Sequence, residues 1–381
     1  MDRRSLVKKL GIAGATVAAG ALAACGNKDS KPAAGAASGA APAVSTGDKV
    51  RWRLASSFPK SLDTLFGAAE KFAKTVNALS GGKFEVSVHP AGELMPAFGI
   101  VDALQNDTIE MGQTASYYYT GKDPIFAFGT AVPFGLTKSQ TIAWHLHGNG
   151  GKLLSEFYSR YNIIGTSSGN TGTQMGGWYR KEINTVDDLK GLKMRLGGGL
   201  FGESMQKLGV VAQNMPVGDV YQALEKGTLD AVEFVGPYDD EKLGFSKVAP
   251  NYYYPGWWES GADLNFFINK KAFEKLSPEN QAIVRAACDV AARDMSAKYD
   301  AWNPQALKRL VASGAKLHSF SKEILDAGFR SAQEVYAEHS AKSPEFKKIF
   351  EDMRAFQKEQ VLWNRSSEYR FNQYIATVEN W

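Results

Sequence analysis

Two cysteines, five histidines and a net charge of only +4 in 381 residues remove several classes of protein at the outset. Cys25 and Cys288 are too few for a disulfide framework or a Cys-rich zinc site. His89, His145, His147, His318 and His339 form no H-E-x-x-H pair, and His145 and His147, two positions apart, would face different sides of a helix. A G-x-S-x-G elbow and a P-loop are both missing. Gly197-Gly198-Gly199 lacks the G-x-G-x-x-G spacing of a dinucleotide site, so it is expected to serve close backbone approach or hinge freedom. Arg3, Arg4, Lys8 and Lys9 against Asp2 place three of the four net charges in the first 24 residues. The rest is nearly neutral and carries no basic run able to track a phosphate backbone, which argues against nucleic acid as a partner. The longest apolar run, from Leu10 to Ala24, falls short of the roughly 20 residues that span a bilayer as a helix.

What is present is material for a large core: 44% hydrophobic residues, with 21 Phe, 15 Tyr and 8 Trp. Such a composition excludes disorder for most of the chain, and the length predicts two or three domains. The N-terminus reads as an address. A charged stretch through Lys9, a short apolar run and Leu22-Ala23-Ala24-Cys25 look like a lipoprotein signal, with Cys25 acylated as the new N-terminus. Arg3-Arg4 is similar to a twin-arginine export signal, although Asp2 and Leu6 depart from that pattern. A plain secretory signal with an incidental cysteine is the alternative, and either places the mature protein outside the cytoplasm, in the periplasm. Residues 26–47, mostly Ala, Gly, Ser and Pro, read as a flexible tether. Cys288 lies in a helical pattern and is expected to be a buried small hydrophobe.

Strands and helices alternate through the body of the chain. The pattern predicts strands at 50–56, 84–88, 109–111, 161–165, 173–179, 192–196, 210–215 and 229–234. Helices are expected at 61–79, 98–105, 201–208 and 219–226, then at 278–299, 303–313, 322–341 and 344–381. This rhythm implies α/β layers on mostly parallel sheets. The acidic run Asp239-Asp240-Glu241 reads as solvated surface.

Three segments carry a more specific signal. Residues 184–199 (NTVDDLKGLKMRLGGG) place Arg195 at a predicted strand end. Residues 219–233 (DVYQALEKGTLDAVE) form a helix-to-strand unit, followed by Phe234-Val-Gly-Pro-Tyr238 and, at 252–259, YYYPGWWE. Together they resemble the DctP-type solute-binding proteins of tripartite ATP-independent periplasmic (TRAP) transporters, within the branch that binds 2-oxo acids. The resemblance covers 48–381. It implies a two-lobed, Venus-flytrap α/β fold: lobe I from 48–168 plus 263–320, lobe II from 169–262, and C-terminal helices over 321–381.

It further implies a function and a set of site residues. The protein would be a receptor, not an enzyme, closing on a small carboxylate (a 2-oxo acid of the pyruvate or 2-oxobutyrate class) and delivering it to the TRAP permease subunits in the membrane. Arg195 would grip the carboxylate, consistent with the bidentate geometry of a guanidinium. Gln174, Glu233, the carbonyl of Phe234 and Glu259 match positions that hold a metal ion. All offer oxygen, so the ion should be hard, Na+ or, on charge balance, Ca2+. Tyr118 and Tyr119 could reach the keto oxygen, Trp258 could floor the pocket, and Asn214 is a further substrate contact, with Asn170 and Tyr238 behind it. A receptor for a 2-hydroxy acid or larger organic acid, and an exported enzyme on the same fold, stay as alternatives. Phe346, Ile349, Phe350, Met353, Phe356, Val361, Trp363 and Trp381 make one richly apolar end. It packs on its own lobe or joins two protomers, and a homodimer is expected from the resemblance.

Overall fold

The alternation of Val50–Ser56 becomes strand β1, whose inward side chains Trp52 and Leu54 are buried. The computed structural model describes residues 49–378, so the signal-like segment with Cys25, the tether and Trp381 lie outside the described residues. Helix α1 (Leu65–Leu79) follows and ends where Gly81 and Gly82 take positive φ, as Gly-Gly requires. Strand β2 (Phe84–His89), helix α2 (Ile100–Gln105) and strand β3 (Met111–Thr114) complete the first βαβ turns. Helices α3 (Lys138–Leu146) and α4 (Gly150–Ser159) then lead into β4 (Ile163–Asn170).

A second sheet is assembled from β5 (Trp178–Tyr179), β6 (Lys193–Arg195), α5 (Gly199–Lys207), β7 (Val211–Gln213), α6 (Val217–Glu225), β8 (Ala231–Val232), α7 (Pro237–Leu243) and β9 (Asn251–Tyr254). The chain returns through β10 (Asp263–Asn269) and α8 (Lys270–Glu274), then runs as α9 (Pro278–Ala312), β11 (Lys316–Ser319), α10 (Lys322–Lys342), α11 (Pro344–Ser366) and α12 (Glu368–Ile375). Strand orders are β2-β1-β3-β10-β4 and β11-β9-β5-β8-β6-β7. The two sheets frame the two lobes of an α/β protein.

Several expectations need correction. The sheets are mixed, because β10 is antiparallel to both β3 and β4. The reason is topological: β4 leaves the first sheet at Asn170, β10 re-enters it at Asp263, and these two residues pair. An outgoing and a returning strand side by side must run in opposite senses. The helices expected at 278–299 and 303–313 are one helix through Pro304. Pro304 is exposed and forfeits a single hydrogen bond, while Tyr299, Ala306 and Leu310 stay buried on either side and hold the axis. With 35 residues α9 is roughly 52 Å long. It carries the chain to β11, which pairs with β9 in the second sheet, although the sequence boundaries put 316–319 in lobe I.

The acidic run is not solvated either. Asp239 and Asp240, on the first turn of α7, are buried, and only Glu241 reaches the surface, where Arg309 pairs with it. Asp239 accepts from Thr64 Oγ1 and the Tyr299 hydroxyl, both at 2.6 Å. Asp240 Oδ2 accepts from the Tyr252 hydroxyl at 2.7 Å and Trp178 Nε1 at 3.0 Å. These bonds tie α7 to α1, α9 and the neighbouring strands β5 and β9 of the second sheet. Burial pushes the two carboxyls up, to about 6 for Asp239 and about 7 for Asp240, with the hydroxyl and indole donors pulling them back.

The C-terminal helices divide in two. Phe346, Ile349 and Met353 are buried in the core of the first lobe, and Asp352 binds Trp144 Nε1 at 2.8 Å and Asn149 Nδ2 at 2.6 Å. Beyond them Leu362, Trp363, Tyr369, Phe371 and Tyr374 are all more than half exposed.

Candidate functional site

Parallel strands leave their C-terminal ends open to a crevice, and side chains just past those ends point into it. Three such ends supply the site. β6 ends on Arg195, β8 is followed at once by Glu233, and β3 leads into a tight turn over Ser116–Tyr119. Gln174 and Glu259 come from the segments either side of β5 and β9. The backbone locks them together: Gln174 N donates to Glu259 O at 3.0 Å, Gly256 N to Gln174 O at 2.9 Å and Met175 N to Val235 O at 3.1 Å.

Arg195 is 1% exposed, unusual for a guanidinium. Its Nη1 donates to Glu233 O at 2.5 Å and lies 3.4 Å from Glu233 Oε2, its Nε reaches Met215 O at 3.4 Å, and its head group lies over the Phe234 ring at 5.3 Å. The Gly197 amide also donates to Glu233 Oε2, at 3.1 Å. One buried cation therefore faces two buried acids. Burial, reinforced by the neighbouring Glu259, holds Glu233 well above the ordinary carboxylate range. Burial raises Glu259 to about 7, with Tyr117, Glu233 and Arg195 drawing it down.

Four buried oxygens here have no donor: Gln174 Oε1, Glu233 Oε1 and both carboxylate oxygens of Glu259. Leaving buried acceptors unpaired costs ~1–3 kcal/mol each, more when charged. The set contains no nitrogen or sulfur, so it fits a hard cation such as Na+ or Ca2+. The residues expected to hold an ion are thus placed together.

The tyrosine triplet sorts differently from expectation. Tyr118 lies within the field of Arg195, and burial pushes its hydroxyl up to about 12. Tyr119 is not brought to the site: its hydroxyl pairs with Thr114 Oγ1 at 3.1 Å and its ring packs on Phe126 and Phe267 in the first-lobe core. Tyr117, which sequence reasoning did not single out, stands against the acids instead. Glu259 and Glu233 act on it, and its hydroxyl would lie 2.7 Å from a Cβ at Gly197. A Cβ at Gly198 would meet Asn214 Nδ2 at 2.9 Å, and one at Gly199 the Tyr117 Cβ at 3.2 Å. The triple glycine therefore lets the second-lobe loop approach Tyr117. A three-residue turn after a strand rotates successive side chains through about a third of a circle, so only the turn geometry decides which of three tyrosines faces the acids.

The remaining expectations divide as well. Asn214 is exposed beside Gly198. Trp258 is fully buried, stacks on Phe201 at 4.4 Å and belongs to the second-lobe core. Asn170 is held by Gly261 O and Gly172 N at the strand crossing, and Tyr238 points to Asp63. An aromatic pair is an ambiguous signal, since core and pocket both use it.

The chain is similar to several known proteins in sequence and in fold. A protein of Nostoc sp. named monocarboxylate 2-oxoacid-binding periplasmic protein is 45% identical over 330 residues, 87% of this chain and 90% of its own length. A TRAP transporter solute-binding protein of Bordetella bronchiseptica, crystallised as a dimer with copurified calcium and picolinate, is 47% identical, with a TM-score of 0.85 over 86% of this chain and 98% of that one. A TRAP periplasmic solute-binding protein of Pseudoalteromonas atlantica with bound sodium and pyruvate is 38% identical, with a TM-score of 0.83 over 87% of this chain and 100% of that one. Residues 55–343 match the model of bacterial extracellular solute-binding proteins, family 7. The chain belongs to that family, the DctP family of TRAP solute-binding proteins.

Proposed function

We propose that this protein is the extracytoplasmic receptor of a TRAP transporter that binds a small 2-oxo monocarboxylate together with one hard metal ion. A single observation carries the reading: a fully buried Arg195 beside four unpaired oxygens of Gln174, Glu233 and Glu259. Arg195 would take the carboxylate through two charge-assisted hydrogen bonds. Gln174, Glu233, Glu259 and the Phe234 carbonyl would hold the ion, which supplies positive charge to the ligand's carboxylate and keto oxygens. Pyruvate and picolinate, bound by the relatives, share a donor atom next to the carboxylate. That pairing lets one ligand face a guanidinium and a cation at once.

Charge balance bears on the ion. With Arg195 at +1, the ligand at −1 and two ionised glutamates, Ca2+ leaves the site neutral and Na+ leaves it at −1 unless one glutamate keeps a proton. Tyr117 and Tyr118 come from the first lobe, and Arg195 and Glu233 from the second. A ligand touching both shifts the population to the closed form that the permease recognises. Binding without turnover is the reading for the acid pair, and nuclear magnetic resonance of pyruvate incubated with the protein should show no product. The exposed apolar C-terminal end is read as the seam of a homodimer, and Cys25 as the lipid anchor.

Isothermal titration tests the proposal. Protein stripped with chelator should bind pyruvate only weakly, and should regain affinity with Na+ or Ca2+ but not with K+. A ligand at 100 times its Kd should also stabilise the fold by about 2.7 kcal/mol. Equal binding with and without any ion would refute the metal assignment. Binding of succinate but of no 2-oxo acid would refute the ligand class.

A further inference from the structure

Outside this site, the first lobe holds a cavity of about 620 Å³ between α3, α4, α9 and the paired ends of β4 and β10. None of its lining residues belongs to the Arg195 site. A volume of that order is typical of a small-molecule pocket. Its walls are apolar where α3 and α4 contribute Ile142 and Leu154, and α9 turns one face to it, with Asp289, Ala292, Arg293, Ser296 and Asp300 at helical spacing.

The floor is polar and unsatisfied. The Asp263 side chain is 2% exposed; its Oδ1 accepts from Ser167 Oγ at 2.7 Å, while Oδ2 has no hydrogen-bond partner. His145 is partly buried, its side chain 19% exposed; its Nδ1 lies 3.9 Å from that oxygen, and its enclosed Nε2 is also unpartnered. Burial alone pushes His145 down to about 4, so it stays neutral and supplies no counter-charge, and burial raises Asp263 to about 7. At the mouth Lys138 pairs with Asp300. Arg293 and Asp289 also cancel within the lining, so Asp263 is the one ionisable group left without a counter-charge, and a cation seated on it would favour its ionised form. An anion would be repelled there. A metal ion is a poor fit, since the floor brings together only one carboxylate and one imidazole.

We propose that this cavity is a second ligand site, taking a small organic ammonium with an apolar body whose charged head seats on Asp263. The ammonium would donate to the free Asp263 Oδ2 and to His145 Nε2, and the body would cover Ile142, Leu154 and Ala292. Because Asp263 pairs with Asn170 where the chain passes between the sheets, an occupant would lie against the lobe crossing without entering the carboxylate site.

The test is isothermal titration of the full chain with benzylamine, benzyl alcohol and benzoate, each in the presence of saturating pyruvate and ion. Benzylamine should bind at one site, at least tenfold more tightly than benzyl alcohol, and benzoate should not bind. Asp263→Asn should cost at least tenfold in benzylamine affinity. Ala292→Phe, which fills the cavity from α9 and leaves the carboxylate intact, should abolish binding and stands as the test if Asp263→Asn does not fold. Equal affinity for amine and alcohol, competition between benzylamine and pyruvate, or full benzylamine affinity in both folded variants would each overturn the proposal.

Discussion

Arg195→Lys keeps the charge and removes the geometry, so it isolates what the guanidinium contributes. In the native protein Nη1 and Nε are engaged by the carbonyls of Glu233 and Met215, and the head group covers Phe234. That leaves the remaining N–H groups of one rigid fork for a ligand carboxylate. An ammonium has three donors on one atom, and must divide them between the Glu233 carbonyl and the ligand. At least one charge-assisted hydrogen bond to the ligand is lost, worth ~1.5–3 kcal/mol. The Kd for pyruvate should therefore rise at least tenfold, since about 1.4 kcal/mol is a factor of ten. The ligand-free melting temperature should fall as well, because the Met215 contact and the cation–π contact, ~0.5–2 kcal/mol, go with the guanidinium. Titration calorimetry at constant ionic strength, with ligand-free melting as the fold control, reads both effects. A Kd within twofold of the wild type, with the melting temperature lowered as expected, would falsify the carboxylate role and leave Arg195 a structural cation.

Three further results are expected. Asp240 has a folded pKa of about 7 against an ordinary 3.8, so its protonated form stabilises the fold at low pH and that contribution is lost as pH rises towards 7. The gap corresponds to ~4 kcal/mol. Relative to wild type, Asp240→Asn should become progressively more stable from about pH 4 to about pH 7 in urea denaturation, and parallel pH profiles would contradict the burial argument. Gly197→Ala puts a methyl 2.7 Å from the Tyr117 hydroxyl and should weaken pyruvate binding at least tenfold. Gly202→Ala, with nothing within 4 Å, should leave that affinity unchanged. Finally, Phe346→Ala should cost ~3–5 kcal/mol of stability as a core truncation. Trp363→Ala, at a residue 65% exposed, should leave monomer stability alone and lower the dimer fraction in analytical ultracentrifugation. An unchanged dimer fraction would remove the C-terminal seam.

Much of the candidate site is legible in the amino-acid sequence through its resemblance to the family, since oxygen-bearing residues and arginines are too common to mark a site by chemistry alone. Gln174, Arg195, Glu233 and Glu259 stand in recognisable segments, and the structure places them together. Residues that could equally be core are not legible in this way. Trp258 packs into the second-lobe core; Tyr119 turns inward while Tyr117 turns to the acids, and the difference between these two tyrosines is a rotation of one tight turn. Asp239 and Asp240 mislead for the opposite reason: three adjacent acids read as surface, whereas hydroxyl and indole donors distant in sequence make burial of two of them tolerable.

The amino-acid sequence by itself determined the α/β alternation, the apolar periodicity and the absence of any metal-hydrolase, nucleotide or nucleic-acid signature, because these depend on near neighbours and on composition. The tertiary structure decided what depends on distant partners. It made β10 antiparallel by returning the chain beside β4, carried α9 unbroken through Pro304 because both flanks are buried, and sent β11 to the second sheet. It also brought His145 and Asp263, 118 positions apart in the numbering, to within 3.9 Å on the floor of a cavity. Local preference sets which elements form; only packing against remote residues settles their direction, their neighbours and the side chains left without a partner.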